Sequence, residues 1–502
     1  MAKRTAIIDI GSNSARLVVF ERSSRFGFRL ICEQKSKVRI GEGAYSKAGF
    51  LQPIGIKRAF FALNAFTRTI QKYSANSTIC VATSALRDAP NAKEFISLIK
   101  DKLGIKIKVI DGKQEALYGG IAIANLLPFK DGISIDIGGG SSDLTLMRNG
   151  KIIDTFSLNI GTVRIKELFF DCNRPIDDAK DYIKQELAKL PSTFINDLAI
   201  GIGGTARALG DAIMKKSEYP LDKLHGFMYD IAAHQEYLDN ITHSSAIGLK
   251  HFQLKKDRYD TIREGALIFL EIAAHIKAKT VMTSGVGVRE GVFLTKFLKN
   301  NNYTFPKETN PSIQSILDRF DSNHSYKTLQ IKKQIAKGLL NIFSEHFEFK
   351  QGGYENELLS ALTLSDIGKN LTIYKANRHS FYIALQELNY GFTHEQMIFI
   401  ATLLRAGKSA KIKKTLRKKY GSLLPRKKTL HWYSFIYTLT LMLSEHSHNA
   451  KITFIYNNQT LTITSDKPLY LIKEAIKEIN KPASFAIIVK DTLHIPPQIF
   501  EL

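Results

Sequence analysis

Cysteine is scarce in this chain: three in 502 residues, Cys32, Cys80 and Cys172. They lack the close pairing of metal ligands, and each sits in or beside an apolar stretch. A disulfide framework and a cysteine metal site are excluded, and buried free thiols are expected. No apolar run reaches the roughly 20 residues of a spanning helix. The N-terminus passes from Lys3-Arg4 through four uncharged residues to Asp9, which is not a signal-peptide pattern. These absences predict a cytoplasmic protein with no membrane partner. Tryptophan occurs once. Tyr420, Trp432 and Tyr433 are too few, and too near apolar spacing, to form a stacking platform, so no specific nucleic-acid partner is expected. Acidic residues are missing from Gln396 to Ser444, where the 408–428 run holds Lys411, Lys413, Lys414, Arg417, Lys418, Lys419, Arg426, Lys427 and Lys428. The whole chain carries a formal charge of +24. Such a field raises the encounter rate of polyanions, although a solvated basic face is the ordinary alternative.

What is present is a repeated pattern. Asp9-Ile10-Gly11-Ser12-Asn13-Ser14 and Asp136-Ile137-Gly138-Gly139-Gly140-Ser141-Ser142 each follow an apolar run and precede another strand-like run. Each reads as a strand, a tight turn and a returning strand. Small residues let backbone N–H groups approach an anion, and the hydroxyls add donors. The Asp before each turn can hold a divalent cation through oxygen or water. Two such hairpins facing each other would grip a phosphate chain from both sides. Neither carries a Gly-Lys-Ser/Thr or Gly-x-Gly-x-x-Gly run opening a helix, which excludes the P-loop and dinucleotide folds. A third glycine turn, Gly203-Gly204-Thr205, joins the strand-like 198–202 to a helix start, another place suited to phosphate.

The organisation follows from periodicity. Residues 1–125 alternate strand and helix signals, and the programme restarts for 126–305, predicting two α/β lobes with a cleft between them. Apolar spacing is helical throughout 306–445, as at Ile331, Ile335, Leu339, Ile342 and Phe343. A small α+β cap is expected over 446–502.

These motifs, with Thr-Ser-Ala-Leu-Arg (83–87), Gln-Glu-Ala (114–116) and Arg-Glu-Gly (289–291), resemble the exopolyphosphatase / guanosine pentaphosphate phosphohydrolase family over about residues 5–300. The resemblance implies two actin-like (ribonuclease-H-like) lobes. It implies Mg²⁺-dependent release of terminal phosphate from linear polyphosphate, or of the 5′ γ-phosphate from guanosine pentaphosphate, and a homodimer. It makes Glu115 the catalytic carboxylate that orients the attacking water; a lone first-turn Glu favoured by the helix dipole is the alternative. Gly11, Ser12, Asn13, Ser14, Gly138, Gly139, Gly140, Ser141, Ser142, Gly204 and Thr205 become phosphate donors. Asp136 and Asp143, with Asp9, become the Mg²⁺ site. Asp143 stands where the family usually carries Glu, so its shorter reach favours a water-mediated contact. Arg16 and Arg87 are candidate phosphate clamps, Arg258 a weaker third, and a surface ion pair is the other reading of Arg16. Arg289-Glu290 is expected to brace the lobes. The helical segment resembles an HD-type phosphohydrolase domain around His324, Asp366 and His379, but Ser365 replaces the imidazole of the His-Asp pair, so it reads as degenerate. The motifs do not choose between polyphosphate and guanosine pentaphosphate, while the basic charge and the long C-terminal half lean slightly toward polyphosphate. A kinase of the same superfamily and a non-catalytic alarmone or polyphosphate sensor are the competing functions.

Overall fold

The structure, a computed structural model, describes residues 3–44, 48–321, 325–349, 353–446 and 450–491. Its contacts divide the chain into two compact units between Pro311 and Ser312.

The first unit contains one sheet design twice. In the first sheet, β1 (Lys3–Ile10) and β2 (Ala15–Arg22) form an antiparallel hairpin that β3 (Phe28–Ser36) extends. On the other side β4 (Ser77–Ala82) and β5 (Ile107–Val109) run parallel, giving the order β3-β2-β1-β4-β5. The second sheet comprises β6 (Gly132–Ile137), β7 (Ser142–Arg148), β8 (Lys151–Leu158), β9 (Leu198–Ile202), β10 (Met228–Asp230) and β11 (Thr280–Thr283). Its order, β8-β7-β6-β9-β11-β10, repeats the first with one extra antiparallel edge strand.

The central strands are apolar without alternation because both faces are covered. Ile8 and Ile10 join Leu63, Phe66 and Phe95, on the helices Pro53–Lys72 and Ala92–Leu103, in one core. On the opposite face, Phe293 of the helix Val288–Phe297 stacks on Phe20 with ring centroids 4.4 Å apart. In the second lobe Ile133, Ile135 and Leu144 share a core with Leu209, Ile213 and Phe269.

Two helices tie the lobes together. Gly112–Leu126 leads from β5 to β6, and Val288–Phe297 follows β11 and packs back on the first sheet. They meet at Gly291, where a Cβ would lie 1.9 Å from the Tyr118 carbonyl oxygen. Only glycine allows that approach.

The second unit begins with the helices Pro311–Phe320, Tyr326–His346, Glu355–Thr363, Ala376–Glu387, His394–Ala406 and Lys427–His446. A sheet of β12 (Ile452–Asn457), β13 (Thr460–Ser465) and β14 (Ala486–Asp491) follows, with the helix Tyr470–Lys477 crossing between β13 and β14. The helical segment and the cap share a core: Phe343 lies 4.9 Å from Trp432 and 5.6 Å from Phe485, centroid to centroid. Asp366 pairs with Lys332 and Lys369, each at 2.7 Å. Against the cost of burial, the two ammonium groups hold its carboxyl down to about 2. His379 is half-buried, and His324 lies outside the described residues. Among the described residues no helix is long and apolar enough to cross a membrane.

Candidate active site

The two hairpin turns face each other across the interlobe cleft. In the first, Asp9 sits opposite Arg16 in the ladder and the Gly11 N–H donates to the Ser14 carbonyl. In the second, Asp136 sits opposite Asp143 and the Gly138 N–H donates to the Ser141 carbonyl. The turns touch: a Cβ on Gly139 would come within 2.7 Å of the Ser12 Cβ. The third glycine turn follows β9, which runs parallel to β6, and so reaches the same end of the sheet. Gly203 has φ +78°, and a Cβ there would meet Asp136 Oδ1 at 2.3 Å. Glycine therefore leaves that carboxylate oxygen uncovered.

These turns enclose a cavity of about 150 Å³. Of the residues expected from sequence, Asp9, Gly11, Ser12, Asn13, Ser14, Arg16, Glu115, Asp136, Gly138, Gly139, Gly204, Thr205 and Arg258 line it. Arg207 and Arg289 also line it. Arg207 stands one turn into the helix Gly203–Lys216, where its Nε donates to the Gly203 carbonyl. Burial, with Arg289 and Arg16 nearby, pulls its guanidinium down to about 10. Its place four residues after a glycine turn was the available signal; its burial was not readable. Arg289, 5% exposed, does two things: it donates to Glu33 at 2.7 Å and faces the cavity. Arg16 is likewise both paired, at 3.4 Å from Glu33, and cavity-lining.

Five expected residues stand elsewhere. The Ser142 hydroxyl is buried and donates to the Ile160 carbonyl, since its place in β7 turns it away from the turn's mouth. The Gly140 carbonyl accepts from Arg164 Nε, fastening that part of the turn to the next helix. Ser141 is buried against the Asp143 carboxylate. Arg87 does not line the cavity: its guanidinium is 3.5 Å from Glu115 and within reach of Asp88 and the Ile110 carbonyl. Asp143 is 3% exposed, behind the cavity wall.

Glu115 occupies the first turn of its helix because Asp111 caps it, accepting from the Gln114 N–H at 2.7 Å. Burial pushes its carboxyl well above the ordinary range, and Asp143, Asp136 and Asp9 push it further, against Arg87. Burial lifts Asp136 to about 6, with Arg207 pulling the other way. Burial also raises Asp143 to about 7, opposed by hydroxyls of Ser157 and Ser141 and aided by the Asp136 charge. Asp143 Oδ1 is buried without a hydrogen bond.

A carboxyl whose folded pKa is raised binds more protons folded than unfolded, so its contribution declines as pH rises from the unfolded value through the folded one. For Asp143 that window is from 3.8 to about 7. Asp143→Asn is therefore expected to stabilise the protein by on the order of 2 kcal/mol at pH 8 and to change little at pH 4. Urea melts of both proteins at the two pH values check this.

Among the described residues no three Asp, Glu, His or Cys side chains form a ready-made metal cage. The set still suits Mg²⁺, which keeps several waters and takes only one or two carboxylates beside substrate phosphates. Asp136, uncovered at Gly203, faces the cavity together with Asp9, and the orphaned Asp143 Oδ1 lies behind.

The model of the Ppx/GppA phosphatase family matches residues 18–300. The guanosine-5′-triphosphate,3′-diphosphate pyrophosphatase of Photobacterium profundum is 26% identical over 413 residues, 80% of this chain and 79% of that one. A bifunctional 3-dehydroquinate synthase/phosphatase of Fusobacterium nucleatum is 36% identical over 237 residues; the match spans 44% of this chain and only 36% of that relative. Among solved structures, the Aquifex aeolicus Ppx/GppA family member superposes with a TM-score of 0.51 at 28% identity, covering 60% of this chain and 99% of that one. An exopolyphosphatase of Cytophaga hutchinsonii shares the fold with a TM-score of 0.55 at 22% identity, over 60% of this chain and all of that one.

Proposed function

The chain belongs to the Ppx/GppA phosphatase family, and from that premise we propose that it is a Mg²⁺-dependent phosphohydrolase acting on linear polyphosphate, guanosine pentaphosphate, or both. The observation that carries this reading is Glu115 on the wall of a cavity floored by facing glycine turns and lined by Arg16, Arg207, Arg258 and Arg289. Four guanidinium groups match the charge and geometry of successive phosphates. Backbone N–H groups of the turns, with Ser12, Ser14 and Thr205, supply neutral donors to the equatorial oxygens.

In the reaction a water oxygen attacks the terminal phosphorus in line with the bridging oxygen. The new P–O bond forms as the P–O bond to the shortened chain breaks, and the water's proton passes toward Glu115. Glu115 is therefore active as the carboxylate, and Arg87, beside it, favours that form and fixes its direction. Asp136 and Asp9 would hold Mg²⁺, Asp143 through water; the ion would neutralise charge on the phosphate oxygens. Neutralising cations at the carboxylates also lowers their proton affinity, which the raised values of Asp136 and Asp143 require near neutral pH.

The helical segment of the second unit is read as a degenerate HD-like domain without catalysis, its Asp366 committed to Lys332 and Lys369. The basic run is read as a polyanion track. Lys411, Lys413, Lys414, Lys418 and Lys419 are exposed, on and just before the helix Lys414–Tyr420. Changing Lys411, Lys413, Lys414 and Lys418 together to Gln is expected to raise KM for long polyphosphate about tenfold at low salt, leaving guanosine pentaphosphate unaffected. Phosphate release from the two substrates in parallel, for both proteins, tests this. Release by the unaltered chain from polyphosphate alone would fix the substrate and give the track its use. Release from the nucleotide alone would leave the track unexplained. Silence on both would favour a non-catalytic sensor.

A further inference from the structure

The segment that carries Arg258 into the cavity is held by the opposite lobe. Asp260 lies on the second lobe, between Arg258 and Thr261, both of which line the cavity. Its Oδ2 accepts from Lys37 and from Arg39 of the first lobe, each at 2.8 Å. Lys37 Nζ also reaches the Asp257 carbonyl at 3.2 Å. Arg39 is the hub. Its backbone N–H donates to the Asn13 carbonyl of the first glycine turn at 2.9 Å, while its side chain crosses the cleft. It also has φ 45°, left-handed for a non-glycine residue. Such a conformation is strained for a residue with a side chain and persists only where its surroundings enforce it. On the far side, the Arg258 guanidinium rests against Gly204, where a Cβ would come within 2.6 Å of Nη1. One turn of the first lobe thus fixes both the Ser12–Asn13 loop and, through Asp260, the Arg258 segment.

We propose that Asp260 is a positioning residue: with Lys37 and Arg39 it forms a latch that holds the lobes closed and sets Arg258 against the anionic substrate. The role rests on the phosphohydrolase reading given above, although the latch does not. The side chains of these pairs are 25–36% exposed, so bulk salt screens them. Closure is therefore sensitive to ionic strength.

The test uses the full chain with a fluorescent pair on Cys172, which is exposed in the second lobe, and on Lys93→Cys in the first, with Cys32→Ser in every sample. Energy transfer and steady-state phosphate release are read from the same samples. Asp260→Asn is expected to lower transfer efficiency and raise KM at least tenfold, with kcat within about threefold. Asp260→Glu is expected to restore both. High salt is expected to lower transfer in the unaltered chain and to leave the Asn variant unchanged. Arg39→Gln, altering the partner, is expected to repeat the Asn result and guards against a local fault at position 260. Unchanged transfer in both variants would overturn the latch, and lowered transfer with unchanged KM would overturn the positioning role. If the unaltered chain released no phosphate from either substrate, the phosphohydrolase reading would fail, while the transfer arm would still decide the latch.

Discussion

Glu115→Gln is expected to lower kcat for phosphate release by about 10²–10⁴-fold, the usual range for a lost general base, while substrate binding stays close to that of the unaltered chain. The side chain keeps its size and can still meet Arg87, so the wall of the cavity is preserved. On the proposed mechanism, what disappears is the acceptor for the water's proton. In the same proposal binding rests on the glycine turns and on Arg16, Arg207, Arg258 and Arg289, which line the cavity and are not altered by the substitution. Equilibrium binding of guanosine pentaphosphate to the variant, beside single-turnover release, separates the two effects. The pH profile adds a second criterion. Burial and three neighbouring carboxylates hold Glu115 well above its ordinary range, so the acid limb of kcat/KM should lie above pH 4.5. Because the charges of Asp143, Asp136 and Asp9 add to that rise, the limb reports on the carboxylate cluster rather than on Glu115 alone. Removing one carboxylate relieves the others, so any residual activity of the Gln variant should fall off at lower pH.

Gly291→Ala should be the most destabilising single methyl in the first unit. The added carbon would sit 1.9 Å from the Tyr118 carbonyl oxygen and 2.5 Å from its carbon, which are backbone atoms of the other lobe-joining helix. No side-chain rotation relieves that clash; the helices must separate, opening the contact that Phe293 makes with Phe20 and Phe28. A loss of about 3 kcal/mol or more is expected, the upper end for overpacking. Gly119→Ala is the control, next to Tyr118 on the facing helix Gly112–Leu126. Its Cβ would find only Ile202 Cδ1 at 3.6 Å, an ordinary contact. Helix propensity then favours Ala by up to about 1 kcal/mol. Denaturant midpoints with unchanged m-values would report both. Equal effects of the two substitutions would contradict the account of how the lobes are joined.

The sheet design was readable because it depends on local pattern. Unbroken apolar runs ending in Asp and glycine mark β1 and β6, and the repeat of that pattern predicts two lobes with facing turns. The side of a strand on which a hydroxyl falls depends on register, which a short glycine run does not specify. Ser142 consequently reads as a donor although it bonds the Ile160 carbonyl. Arg207 was hidden for a different reason. An arginine one turn into a helix is ordinarily solvated, and only the packing of the second lobe buries it beside Arg16 and Arg289. Long-range pairs are invisible to periodicity altogether. Arg39 and Asp260 are separated by more than two hundred residues, and neither belongs to a motif. In the second unit the spacing changes from helical to strand-like near 446, and across that change Trp432 and Phe485 stack, a contact that spacing does not announce.

Hydrolysis at this cleft is tested by phosphate release in ¹⁸O-labelled water, with Mg²⁺ and either polyphosphate or guanosine pentaphosphate. Attack by water oriented at Glu115 predicts one labelled oxygen in each phosphate released, and no label in the remaining chain or nucleotide. Phosphate delivered to another acceptor without label would make the cleft a transferase site, and no release from either substrate would contradict hydrolysis outright.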